Sequence, residues 1–171
     1  LQQEIPVEEN LHLAIRATRK DLRVVYNLAP ATDVPEELLK AVDMLVVNEV
    51  EAAFLAGGDS AEDMSVLAEA LAGEHGSSVV ITLGPDGVVV APGGSAGSFS
   101  VSAPVVRVTD TTGAGDTFTG YLAARLAQGN LELNRCILEA TCAASLACTK
   151  TGAQSGIPYS SEVSESASID I

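Results

Sequence analysis

The chain has 171 residues, of which 47% are hydrophobic and 19% charged, and a net charge of −14. That length allows one sizeable core, the composition excludes a disordered chain, and the acidity argues against non-specific nucleic-acid binding, which needs clustered Lys and Arg. Aromatic residues make up 4% and Trp is absent, so the core falls to Val, Leu, Ile and Ala, as suits an α/β protein.

The opening LQQEIP reads as the end of a strand, so a preceding segment is expected. Apolar Leu11, Ala14 and Ile15 at helical spacing predict a helix over 8–20, followed by a buried strand LRVVYN at 22–27. A Pro start signal predicts a short helix at 35–41. DMLVVN (43–48) is the next strand, and EVEAAFLAG a helix stopped by Gly57 and Gly58. Asp59 or Ser60 is expected to cap a further helix running to about Ala72.

SVVITLG (78–84) and GVVVA (87–91) read as strands joined through the tight turn Pro85-Asp86-Gly87. FSVSAP (99–104) and VVRVTD (105–110) are expected as short strands. Helices are expected from Ala114 to Gln128 and over 131–149, then a loop TGAQSGIP and an acidic, Ser-rich tail at 159–171 that reads as solvated or a frayed helix. Strands alternate with helices early and pair with one another later. That order predicts a mainly parallel sheet between two helical layers, an α/β/α sandwich with antiparallel strands at one edge.

No apolar run reaches the ~18 residues of a membrane span, and no signal-peptide pattern is present. A cytoplasmic location without membrane partners is the simplest expectation. Cys136, Cys142 and Cys148 match no zinc-ligand spacing and read as small packing residues of one Ala-rich helix. His12 and His75 read as surface or helix-end residues. Arg107 and Lys150 stand isolated and form no basic patch.

The stretch VVRVTDTTGAGDTF carries the chemistry. A Gly-rich turn opens directly into a helix, and Gly113, Ala114 and Gly115 add almost no side-chain bulk. Their backbone N–H groups can approach an anion closely, where the helix dipole adds favourable partial charge. Asp116 sits beside them in the first helical turn, where a carboxylate can take a proton from a substrate hydroxyl. Taken alone, the same residues are also an ordinary cap and tight turn.

The full string resembles the C-terminal signature of the ribokinase, or PfkB-type, sugar kinases. NEVE (48–51), TLGPDG (82–87) and KTGAQSGIP (150–158) resemble further segments of that family in its order, so the chain is similar to the C-terminal part of a ribokinase-like fold. The resemblance implies ATP-dependent phosphorylation of a sugar hydroxyl, with Mg²⁺ and K⁺ as cofactors. Asp116 would be the base acting on the sugar, with Gly113, Ala114 and Gly115 the anion hole. Asn48 and Glu51 would organise Mg²⁺, phosphates and water. Thr82, Leu83, Gly84, Pro85, Asp86 and Gly87 would line the nucleotide together with Gly115 and Asp116, and Thr141 would lie near adenine.

Asp110 and the carbonyls of Thr112, Ala147, Lys150 and Gly152 resemble K⁺ ligands. Gly156, with Ser155 beside it, stands where the family can use a Ser hydroxyl. YNLAPA and GAQSGIP favour D-ribose as the sugar, although NLAP departs from the more usual Asn-Pro-Ala-Pro. Another sugar or nucleoside kinase of this type, or a non-catalytic nucleotide-binding fragment, stays open. Little activity is expected of this stretch alone, because the family's sugar pocket and lid come mainly from an N-terminal part. Family dimers form through that lid, so a homodimer is a property to expect only of a complete protein.

Overall fold

The computed structural model describes residues 1–58, 63–94 and 97–167. The chain divides into two compact units, Leu1–Leu83 with Val89–Ser100, and Gly84–Val88 with Val101–Ile171.

The first unit opens with α1 (Val7–Thr18), which stops short of the expected end. Asp21 adopts a left-handed conformation (φ 55°), and the Leu22 amide returns to the Ala17 carbonyl at 3.0 Å, so the last turn closes there. The following strand is shorter than its apolar run, because the Val24 amide donates to Asp43 Oδ2 at 2.7 Å and pairing begins only with β1 (Val25–Asn27). Helix α2 (Glu36–Lys40) starts after Pro35. Strand β2 (Met44–Asn48) feeds directly into α3 (Glu49–Leu55). Helix α4 (Met64–His75) is capped by Asp63, whose Oδ1 accepts the Ser65 amide at 2.8 Å; the proposed caps Asp59 and Ser60 lie outside the described residues. Gly76, at φ 72°, terminates α4 beyond the expected Ala72.

β3 (Ser78–Thr82) is followed by the 3₁₀ turn Gly84–Asp86, then β4 (Val88–Ala91) and β5 (Phe99–Val101). The five strands lie in chain order, β1-β2-β3-β4-β5, with β1, β2 and β3 parallel. The link from β3 to β4 is too short for a parallel crossover, which needs a dozen or more residues, so these neighbours run antiparallel. Leu45, Val47, Val79 and Ile81 of β2 and β3 pack with Leu38, Leu67 and Leu71 in one core. Each such side chain contributes about 1.5–3 kcal/mol when fully buried.

In the second unit the expected strand at 105–110 does not form. Pro104 lacks an amide for a ladder, Val105 and Val108 are exposed, and the Thr109 and Asp110 amides both donate to the Cys148 carbonyl, at 2.8 and 3.2 Å. Helix α5 (Ala114–Gln128) keeps its expected bounds, set by left-handed Gly113 and Gly129. Helix α6 (Leu133–Ala147) is tighter than 131–149. Within the tail a helix does form: α7 (Ser160–Ser166) is mostly exposed but buries Val163, and Ala167 behind it, against Cys142 and Ala143 of α6, while 168–171 lie outside the described residues. Cys136 is buried as well, in keeping with a packing role for the α6 thiols. Among the described residues no helix is long and apolar enough to cross a membrane.

Candidate active site

In the first unit, the C-terminal ends of β2 and β3 stand side by side, with Asn48 in register with Thr82. Asn48 leaves the strand and caps α3. Its Oδ1 accepts the Glu51 amide at 2.9 Å while Glu51 Oε2 accepts the Asn48 amide at 2.8 Å, a reciprocal capping box. Glu51 is only 7% exposed. Burial pushes its carboxyl up, against the opposing pull of the Asn48 amide. Its second oxygen, Oε1, makes no hydrogen bond among the described residues, so a buried carboxylate keeps one acceptor for a cation or water. Thr82 donates weakly to the Val47 carbonyl at 3.4 Å. Leu83 follows it, packed against the core of this unit.

In the second unit, Gly84 (φ 56°) opens the 3₁₀ turn that holds Pro85 and Asp86, closed by the Gly87 amide on the Gly84 carbonyl at 3.2 Å. Gly87 admits no side chain: a Cβ would run into the Val101 carbonyl and lie 2.8 Å from the Ala103 amide nitrogen.

The entry to α5 is the most reactive-looking surface of this unit. Gly113 takes φ 78°, and a Cβ there would lie 2.9 Å from Ala153 Cβ. The Ala114 amide is spent on the Thr111 carbonyl at 3.2 Å, and the Thr117 amide on Gly113 at 2.9 Å. Among the described residues the amides of Gly113, Gly115 and Asp116 make no hydrogen bond. Nothing lies within 4 Å of where a Gly115 side chain would stand. Asp116 is exposed, and its carboxylate has no partner among the described residues. Three uncommitted donors and an uncommitted acid therefore sit together at the positive end of a 15-residue helix.

Asp110 is bound on both sides. Oδ1 accepts the Thr112 hydroxyl at 2.7 Å and its amide at 2.9 Å, and Oδ2 accepts the Gly152 amide at 2.9 Å. The Thr112 hydroxyl first, then the Gly152 and Thr112 amides, hold its carboxyl down at about 2, so it stays charged. A side chain at Gly156 would meet the carbonyl oxygens of Gly152 at 2.9 Å and Ala147 at 3.0 Å. Two expected cation ligands thus crowd against Gly156, where only a residue without a side chain fits, and the Gly152 carbonyl already accepts the Gly156 amide at 2.8 Å. Lys150 lies in the same loop, its amide directed to the Ala147 carbonyl at 3.3 Å. No group of three His, Cys, Asp or Glu side chains gathers as a metal cage among the described residues. Thr141 is buried in α6 and its hydroxyl donates to the Ile137 carbonyl at 2.9 Å, so it has no proton left to offer a ligand.

Residues 1–159 match the family model described as pfkB family carbohydrate kinase. The chain belongs to that family. Among curated relatives, a ribokinase from Lactococcus lactis is 36% identical over 163 residues, covering 95% of this chain and 51% of the relative. A ribokinase from Haemophilus influenzae is 36% identical over 168 residues, covering 96% of this chain and 54% of the relative. The chain thus spans about half the length of the curated relatives it matches. Among solved structures, Arabidopsis thaliana ribokinase complexed with ribose and ATP superposes with a TM-score of 0.89 at 30% identity, covering 98% of this chain and 54% of that one. The fold is accordingly the ribokinase-like α/β fold of the pfkB kinases.

Sequence reasoning missed several partners of these residues. Ala153 packs under Gly113, the Cys148 carbonyl gathers the Thr109 and Asp110 amides, and Lys150 is paired with Glu162 at 3.0 Å. Small residues in TGAQSG were the available signal of a tight approach; the Lys150 pair left none.

Proposed function

We propose that this chain supplies the base, the anion cradle and the nucleotide-binding elements of an ATP-dependent sugar kinase whose substrate is D-ribose. The Asp116 carboxylate takes the proton of the sugar's primary hydroxyl. The sugar oxygen then forms a bond to the γ-phosphorus of ATP while the bond to the ADP oxygen breaks, giving ribose 5-phosphate and ADP. Amides at the entry to α5 receive the charge that spreads over the transferring group. The observation that carries this reading is the exposed Asp116 beside three uncommitted amides. The match to the pfkB family and to ribokinases supports it.

Asn48 and Glu51 are the residues that would organise Mg²⁺, which supplies charge neutralisation between ATP and a protein of net charge −14. Asp110 and the carbonyls of Thr112, Ala147, Lys150 and Gly152 would hold K⁺, which would supply fixed positive charge to that loop. Thr82, Leu83 and the turn Gly84–Asp86 with Gly87 would border the nucleotide. A panel of sugars and nucleosides offered with Mg-ATP to the native protein tests the substrate. The expected result is the highest kcat/KM for ribose; a higher value for another sugar or a nucleoside contradicts the ribose assignment.

A further inference from the structure

We propose that Glu162 is a positioning residue that fastens the loop 150–158, and through it the packing of Ala153 beneath Gly113 and the approach of the Ala147 and Gly152 carbonyls to Gly156. One carboxylate grips both ends of that loop. Its Oε1 accepts Lys150 Nζ at 3.0 Å where the loop begins, and its Oε2 accepts the Tyr159 amide at 2.7 Å where it ends. Between those points the Gly152 amide binds Asp110 at 2.9 Å, the Gly156 amide turns back to the Gly152 carbonyl at 2.8 Å, and Ser155 Oγ donates to the Thr151 carbonyl at 2.6 Å.

Glu162 is not a loose surface acid. It belongs to α7, whose Val163 is fully buried, as is Ala167 just beyond it, against Cys142 and Ala143. The Arg135 guanidinium also donates to the Ala167 carbonyl at 3.3 Å. Its carboxyl is held below the usual range, first by the Tyr159 amide and then by Lys150. An exposed ion pair by itself adds little to stability. Here the same carboxylate also closes a chain segment, so its effect concentrates on the loop's opening rather than on global stability.

The expected change in K⁺ response rests on the kinase reading; the positioning role does not. Hydrogen exchange at the Gly152 and Gly156 amides of the native protein decides it. In Glu162→Ala these amides are expected to exchange about three- to tenfold faster. Lys150→Met, which leaves the Tyr159 bond intact, shifts them in the same direction by less. Glu162→Gln, which can still accept the Tyr159 amide, falls between wild type and Glu162→Ala. Amides in the middle of α6, at Thr141 and Ala143, keep wild-type rates. The KCl concentration giving half of the K⁺-induced rise in Tm is expected to increase by a similar factor in Glu162→Ala. Wild-type exchange at Gly152 and Gly156 in both Glu162→Ala and Lys150→Met overturns the proposal, as does equal acceleration throughout α6. Should the unaltered protein neither phosphorylate a sugar nor respond to K⁺, the kinase reading fails while the exchange rates still decide the role of Glu162.

Discussion

The Gly152 amide donates to Asp110 Oδ2 at 2.9 Å, joining residues 42 apart in the chain. The bond brings the loop after α6 to the segment that leads into α5. It holds the Asp110 carboxylate, proposed as a K⁺ ligand, against the loop that carries Gly152.

That bond has a pH signature. Asp110 has a folded-state value of about 2, below the ordinary 3.8, so its contribution to stability is present above pH 3.8 and is lost as pH falls toward 2. Asp110→Asn is expected to melt below wild type at pH 6, with the gap narrowing between pH 4 and pH 2. Thermal melting across that range checks it; a gap independent of pH contradicts it.

Glu51 titrates with the opposite sign. Burial raises its value above the ordinary 4.5, so stability is greatest below that pH, and part is lost as pH rises through the folded-state value. Glu51→Gln keeps an acceptor for the Asn48 amide and avoids burying charge, so its Tm at pH 7 should equal or exceed that of wild type. Its Mg-dependent turnover should fall. Asn48→Ala removes the cap and should cost about 0.5–2 kcal/mol in denaturant unfolding.

Gly115 separates stability from function. No atom lies within 4 Å of where its side chain would stand, and it lies within α5. Gly115→Ala should therefore stabilise the fold by about 0.5–1 kcal/mol. The added methyl group crowds an amide proposed to hold the phosphoryl group, so kcat should drop while Tm rises. Unchanged kcat would count against the cradle. Gly113→Ala should lower both, because φ is 78° and Ala153 Cβ stands 2.9 Å away.

Glu139 tests the packing of α5 on α6. It is 5% exposed and meets Arg135 Nε at 2.9 Å and Arg125 Nε at 2.6 Å, the second an ion contact without aligned hydrogen-bond geometry. Arg125 also stacks over the Tyr121 ring, 5.3 Å from its centroid. Glu139→Ala leaves two guanidinium groups without their anion and should cost about 3–5 kcal/mol, read by denaturant unfolding. A loss within 1 kcal/mol would show that water reaches the pair freely.

What the sequence discloses follows from local physics. The bounds of α5 are readable because Gly113 and Gly129 both need positive φ, and β2 because its residues form one apolar run. The run 105–110 misleads, since alternation alone cannot reveal that its closing amides go to the Cys148 carbonyl. In the Ser- and Glu-rich tail the sequence allows a frayed helix but does not show its packing, because only Val163 and the C-cap Ala167, four residues apart, carry the buried face. Of the candidate site, the GAGD turn and the Asn48–Glu51 box are local motifs and therefore legible. The Asp110–Gly152 and Lys150–Glu162 bonds are made by tertiary folding and leave no local trace.

Turnover and ATP affinity of Asp116→Asn in the native protein test the central claim most directly. The substitution preserves shape but removes the base, so kcat should fall by about 10²–10⁴ while the Kd for Mg-ATP stays within a few-fold. A variant that keeps wild-type kcat would contradict Asp116 as the base.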